Sequence, residues 1–424
     1  MKRDPIVLGE NYILPGDDIG VTRPNANVLI VGTTGCGKST SVVLPTLARS
    51  EYSKPVLSYV KEVDAYKMAN FLKSKGYTVR ILNISHPDKS TVSFDPILSI
   101  ESDEDIDSLA ATIVNAALKN TVDDYWNAKT KPLLSSLIAA TLMTAEKGNN
   151  PGMADVLNMF SQLLPDESGS SVSTSLDSMF QALGEAASGC YAVEEYKSWH
   201  ALPYKTTSCV RDTLAAALSA VFHKSIRNMM QSKPQLDIYR FSARKEAIIV
   251  ITSAIDLWQH FYANLFFRDL TRQLLKLAVD CPNGELPREI RFIYDDMACS
   301  SRVEGLEHDL SLYRSAGLSS ILLLQSESQL ENNYTLSGAA IIRQNCAVYA
   351  YFPGGFDDRS CEIVSKRMNM PYEDILYAPL GNVFIMQSGR KPVSVRRYDT
   401  LHSKEYFEYI ETVDKAKKRI QARW

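Results

Sequence analysis

At 424 residues the chain exceeds the length over which one hydrophobic core usually keeps growing, so two structural units are expected, one inserted in the other. Its 45% hydrophobic and 22% charged content, without long Pro, Gly, Ser or Gln tracts, excludes a disordered tail or linker. A net charge of −3, from 46 basic and 49 acidic residues, excludes a surface that is cationic throughout but not a basic lining confined to one channel.

Strand-like IVLG (6–9) follows Met1 to Pro5 with no apolar leader, so no signal peptide is expected. From there the chain alternates: ANVLIV (26–31) predicts a strand, a helix starts at Lys38, KPVLSYV (54–60) predicts a second strand, a helix runs through Ala65 to Lys75, and YTVRILNI (77–84) predicts a third strand. This is the βαβ rhythm of a parallel sheet. Between 101 and 235 strand signals vanish and helical periods take over, as in DIDSLAATIVNAALKN (105–120) and VRDTLAAALSAVF (210–222). The strand rhythm returns with EAIIVIT (246–252), a long helix from Leu257 to Val279, REIRFIYDD (288–296), LSSILLLQS (318–326) and CAVYAYF (346–352). Residues 383–398 predict a hairpin with the basic turn GRKP, and VDKAKKRIQARW (413–424) a basic helix ending at Trp424. The expected fold is α/β, a mostly parallel central sheet flanked by helices over 1–100 and 236–424, with an all-α insertion over 101–235. The nearest approach to a membrane span, Leu133 to Thr144, is shorter than the ~18 to 20 residues required and contains Ser and Thr. Seven cysteines without a CxxC, and six histidines without HxH or HExxH, argue for reduced thiols and against a metal cluster.

Residues 32–39 read GTTGCGKS, directly after a predicted strand and before a predicted helix. Gly32, Gly37, Lys38 and Ser39 satisfy GxxxxGK[ST], a loop whose backbone N–H groups curl around phosphates. Thr33, Thr34, Gly35, Cys36 and Thr40 complete it, so ATP with Mg2+ is the expected ligand. Lys38 would reach the β- and γ-phosphates and Ser39 the metal. Cys36 lies near a helix N-terminus, where a thiol pKa tends to fall; it equally fits as a small loop-filling residue. Such a loop needs an acidic partner at the end of a neighbouring strand, and IRFIYDD (290–296) supplies it: Asp295 for Mg2+ and Asp296 to orient the attacking water. An Asp rather than a Glu at 296 shortens the reach by one methylene, and a catalytic group misplaced by ~1 Å can cost about a hundredfold, so slow turnover is expected. Gln325, at the end of LSSILLLQ, suits a γ-phosphate or water sensor, or an ordinary strand-end cap. Arg314, in DLSLYRSAGL (309–318), suits either a solvated position or an arginine that reaches the neighbouring subunit's γ-phosphate in a ring.

The order of phosphate loop, helical insert, strand with acidic pair, then QSESQL and RQNC resembles the type IV secretion coupling proteins of the TraG/TraD class, within the FtsK/HerA group of hexameric ATPases. The resembling passages are GTTGCGKST (32–40), GYTVRILNISHPDKSTVSFDPI (76–97), DDYWNAKTKPLLSSLIAATL (123–142), IYDDMA (293–298), LSLYRSAGLSSILLLQSESQLENNY (310–334), IIRQNCAVYAYF (341–352) and LGNVFIMQSGRKPV (380–393). The resemblance implies a RecA-like nucleotide domain with an all-α domain and a homo-hexameric ring with ATP between subunits, which a purified monomer would not refute because assembly can wait for DNA or membrane. It also implies delivery of DNA, single-stranded and with its relaxase, to a secretion channel and its ATPases. The family's DPKGE-like segment reads SYVKEVD (58–64) here, keeping Lys61, and its acidic pair is Asp-Asp. The family's transmembrane helices have no counterpart in the 31 residues before Gly32, so the expected place is cytoplasmic, at the inner face of the bacterial membrane through a separate anchor protein. A slow or inactive nucleotide-gated docking scaffold of the same apparatus is the alternative.

Overall fold

The structure, a computed structural model, describes residues 3–16, 25–117, 124–145, 150–163, 175–256, 258–295, 302–355 and 357–421. The chain divides into two compact units, Met1–Val92 with Leu236–His260 and Leu270–Trp424, and Ser93–Gln235 with Phe261–Asp269.

In the first unit, β1 (Ile6–Gly9) and β2 (Tyr12–Leu14) form an antiparallel hairpin. The remaining strands are β3 (Val28–Gly32), β4 (Lys54–Tyr59), β5 (Thr78–Asn83), β6 (Glu246–Ile251), β7 (Ile290–Tyr294), β8 (Leu318–Leu324), β9 (Val348–Phe352), β10 (Asn382–Gln387) and β11 (Val393–Arg396). Among the described residues they make one nine-stranded sheet in the order β11-β10-β9-β3-β8-β7-β4-β6-β5. From β9 to β5 the strands run parallel, and β10 and β11 add an antiparallel edge. The central strands, aliphatic in VLIVG and LSSILLL and partly aromatic in IRFIY and VYAYF, are buried at every position, the signature of a sheet covered on both faces. One face carries Val28, Ile30, Ile249, Ile293, Ile321 and Leu323, packed on Val43, Leu47, Met68 and Phe71.

Topology sets where chemistry can sit. The chain leaves β3 toward β4, while β8, its neighbour, connects back across β3 to β9. Right-handed crossovers running in opposite directions place their helices on opposite faces and leave the carboxyl ends of β3, β7 and β8 open.

The second unit is helical. Its helices Asp103–Ala117, Asp124–Thr144, Met153–Ser161, Ser175–Ala186, Tyr191–His200, Tyr204–Val221 and Lys224–Ser232 bury alternating apolar stripes, with Leu133, Leu134, Leu137 and Ile138 fully enclosed. Phe180 stacks on Tyr196 at 3.8 Å between centroids. The unit begins at Ser93, eight residues before the expected 101, and it also takes a stretch of the helix Trp258–Asp280. The reason is tertiary: Phe94 packs edge-on against Phe266 at 5.3 Å, and the Asp95 carboxylate accepts the Met153 N–H at 3.0 Å. Leu257, the expected start of that long helix, lies outside the described residues. Among the described residues no helix is long and apolar enough to cross a membrane.

Candidate nucleotide site

The GTTGCGKS loop follows the carboxyl end of β3. Gly35 and Gly37 adopt φ of +83° and +92°, in the left-handed region that a side chain disfavours. Gly32 is required for closeness: a Cβ there would meet the Phe352 carbonyl oxygen at 2.6 Å. The loop thus curls back under Lys38, which is only 6% exposed and donates through Nζ to the carbonyls of Gly32 and of Thr33, the latter at 3.1 Å. Thr33 Oγ1 is buried with no hydrogen-bond partner among the described residues. Cys36 fills the loop. Burial pushes its thiol up, against the opposing pull of the Lys38 charge, so the lowered pKa expected near a helix N-terminus is not found.

The helix begins at Ser39, its first turn wound as a π-turn over Ser39–Val43 before Leu44–Ala48 continues as an α-helix. Its opening hydroxyl meets the next strand but one: Ser39 Oγ donates to Asp295 Oδ1 at 2.7 Å. Asp295, directly after β7, is 8% exposed. Two residues 256 apart in sequence are therefore joined where an oxygen-liganded cation would sit. Around this pair lies a cavity of about 450 Å³ lined by the loop and by Thr40, Tyr59, Lys61 and Asp64. Lys61 precedes the helix Glu62–Ser74 as its N-cap residue, so the altered SYVKEVD segment still delivers a cation to the cavity. Burial pushes the Tyr59 phenol well above its ordinary range, reinforced by the Asp295 charge, so it stays a neutral donor.

The other sequence candidates are placed differently. Leu324 is in register with Val31, so Gln325 follows β8 at the level of Gly32; its amide N–H donates to Gln329 Oε1 at 3.1 Å. Arg314 is exposed in the last turn of the helix Leu306–Ala316, which feeds the amino end of β8. Its carbonyl accepts from Arg3 at 3.4 Å. Seven strand residues, about 23 Å at ~3.3 Å each, separate that end of β8 from the loop, so this chain does not bring Arg314 to its own cavity. Asp296 and Trp424 lie outside the described residues.

Sequence reasoning missed the C-terminal contribution. Arg397 donates to the Cys36 carbonyl at 3.1 Å, and Thr400 Oγ1 donates to the Thr40 carbonyl at 2.8 Å. Beyond them the helix Lys404–Gln421 brings Tyr406 and Tyr409 into the cavity lining. The signal was present as the apolar spacing Tyr406, Tyr409, Ile410, Val413, one helical face.

A family model described as Type IV secretory system Conjugative DNA transfer matches residues 2–368. No curated protein matches the chain. Among solved structures it is similar to the bacterial conjugative coupling protein TrwBdeltaN70, at 16% identity and a TM-score of 0.62 over 88% of this chain and 84% of that one. It is also similar to the plasmid coupling protein TrwB in complex with ADP and Mg2+, at 15% identity and 0.61 over 88% and 85%. VirB4 of Thermoanaerobacter pseudethanolicus follows at 11% identity and 0.58 over 93% and 96%. At such identities these likenesses establish a shared fold, the RecA-like P-loop α/β fold with a helical domain. With the family match extending over most of its length, the chain belongs to the conjugative DNA-transfer family of type IV secretory systems.

Proposed function

We propose that this chain binds ATP with Mg2+ in the cavity at the end of β3 and hydrolyses it to recruit and translocate DNA, or DNA with bound protein, to a conjugative secretion channel. The observation that carries this reading is the Ser39–Asp295 contact beside a lysine folded into its own loop. The donor set fits the ligands. The carbonyls that hold the Lys38 ammonium are replaceable by phosphate oxygens, and a hydroxyl with a carboxylate is the hard oxygen pair that Mg2+ takes. Two structures of one relative of this fold, TrwB in complex with ADPNP and TrwB in complex with ADP and Mg2+, support the same ligands.

In this reading the N–H groups of residues 33–40 and Lys38 bind the phosphates, and Ser39 and Asp295 would hold Mg2+, which would supply positive charge against the phosphate oxygens. Asp296 orients the attacking water and takes its proton, while the Pγ–O bond to ADP breaks in line. Gln325 senses the γ-phosphate, and Arg314 acts across a subunit interface of a homo-hexamer assembled from monomers. The cargo is single-stranded DNA with its relaxase. The docking partners are the channel's ATPases and a separate anchor protein that keeps the chain at the inner face of the membrane.

A second reading, a nucleotide-gated scaffold with little turnover, is favoured by the Asp-Asp pair at 295–296 and by SYVKEVD at 58–64. Steady-state ATP hydrolysis measured against protein concentration, with and without DNA, separates the two. The motor predicts turnover that rises with both and is abolished in Lys38→Ala. Inert wild type with gain of activity in Asp296→Glu would replace the motor by the scaffold.

A further inference from the structure

The lining of the nucleotide cavity changes character away from the phosphate loop. Lys38, Ser39 and Asp295 are polar, whereas Val43 and Leu44, one turn further along the same helix, share the cavity with Met68 and the phenol rings of Tyr406 and Tyr409. Both tyrosines lie beyond residue 368, where the family match ends. Their ring centroids are 6.4 Å apart with planes inclined by 32°, and Tyr409 packs edge-on against Phe71 at 5.6 Å. Neither ring is fully buried, so each keeps surface for a ligand.

The segment that carries them is fixed to the phosphate loop itself. Arg397 and Thr400 bond the carbonyls of Cys36 and Thr40, which flank Lys38 and Ser39. Further on, Arg49 donates to Glu405 at 3.0 Å and Lys75 to Glu408 at 2.7 Å, tying the helix to those on either side of the cavity. The rings are therefore held in register with the place where phosphates would lie.

A nucleoside triphosphate combines a polyanion with a flat π-system, and this lining offers a counterpart to each. Building on the nucleotide reading above, we propose that Tyr406 and Tyr409 are the base-recognition wall of the site, stacking a purine. Purines present the larger π-face, and stacking does not read the pattern of donors and acceptors at the base edge, so ATP and GTP bind alike and ahead of UTP.

The test is calorimetric titration of the full chain with the Mg2+ complexes of ATP, GTP, UTP and inorganic tripolyphosphate. It uses wild type, Tyr406→Leu, Tyr409→Leu and Tyr409→Phe, with the melting temperature of each. Wild type should prefer both purine nucleotides to UTP and to tripolyphosphate. Each Leu variant should lose about tenfold in ATP affinity, the scale of one base–aromatic contact, with tripolyphosphate affinity unchanged, and Tyr409→Phe should retain wild-type behaviour. An unchanged ratio of ATP to tripolyphosphate affinity in the Leu variants would overturn the proposal, leaving the rings as packing groups. Equal wild-type affinity for ATP and tripolyphosphate would overturn it without any variant. Failure of wild type to bind either ligand, with Lys38→Ala no different, would instead remove the nucleotide reading on which the proposal rests.

Discussion

Thr33 links the phosphate loop to the strand beside it. Its side chain lies under the turn that follows β9, where the backbone of Gly354 and Gly355 passes so close that a Cβ on Gly355 would meet Thr33 Cγ2 at 2.5 Å. The Gly355 backbone does not require a left-handed residue, so the demand for glycine is purely one of space. Gly355→Ala should therefore displace Thr33 and with it the carbonyl that receives Lys38. Overpacking of this kind costs about 1–3 kcal/mol, visible as a lower melting temperature and a weaker response to added MgATP. Thr33→Ser in the same chain removes the offending methyl and should restore both. If Gly355→Ala melts and binds as wild type does, the loop is softer than its packing implies.

At the scale of elements, the first turn of the helical unit holds a buried carboxylate. Asp95 caps the turn Pro96–Ser99 through the Ile97 N–H and reaches Met153 at the start of the helix Met153–Ser161. Burial pushes its carboxyl up to about 6, more strongly than these two N–H groups pull it down. A carboxyl with a raised folded pKa binds its proton more tightly in the folded state. Its stabilising contribution is therefore full below about pH 4 and is lost as pH rises through 6. A shift of this size corresponds to something on the order of 3 kcal/mol. Asp95→Asn retains an acceptor for both N–H groups and cannot ionise. Denaturant titrations of the two chains should thus converge near pH 4 and separate by pH 7, with the Asn chain the more stable; a constant difference across that range would rule out the titration. Such contacts also mark what could be read in advance. The strands and the phosphate loop were legible because their signals are local: runs of Val, Ile and Leu, and glycines at fixed offsets from Lys38. The partnership of Ser39 with Asp295 was legible only as chemistry that such a loop demands. The start of the helical unit at Ser93, and the placement of Tyr406 and Tyr409, depend on contacts between residues far apart in sequence, 58 in the case of Asp95 and Met153, for which no periodicity speaks.

For the whole molecule, the two ends of one sheet pose the remaining question. The phosphate loop lies at the carboxyl edge, and Arg314 at the amino edge, beyond the full length of β8. A single chain cannot join them, whereas a head-to-tail ring sets unlike surfaces of neighbours against each other. If Arg314 completes its neighbour's site, two defects in different chains must complement. Lys38→Ala and Arg314→Ala should each be inactive alone. On mixing in equal amounts, one interface in four joins an intact Lys38 to an intact Arg314, so turnover should recover to roughly a quarter of wild type if interfaces act independently. The recovery should require the DNA and protein concentration at which wild type is active, since it exists only in the assembly. An Arg314→Ala chain that hydrolyses ATP normally would return that side chain to the solvent. A mixture that stays inert at every ratio, with both variants folded and Arg314→Ala inactive alone, would place the arginine's effect within its own subunit.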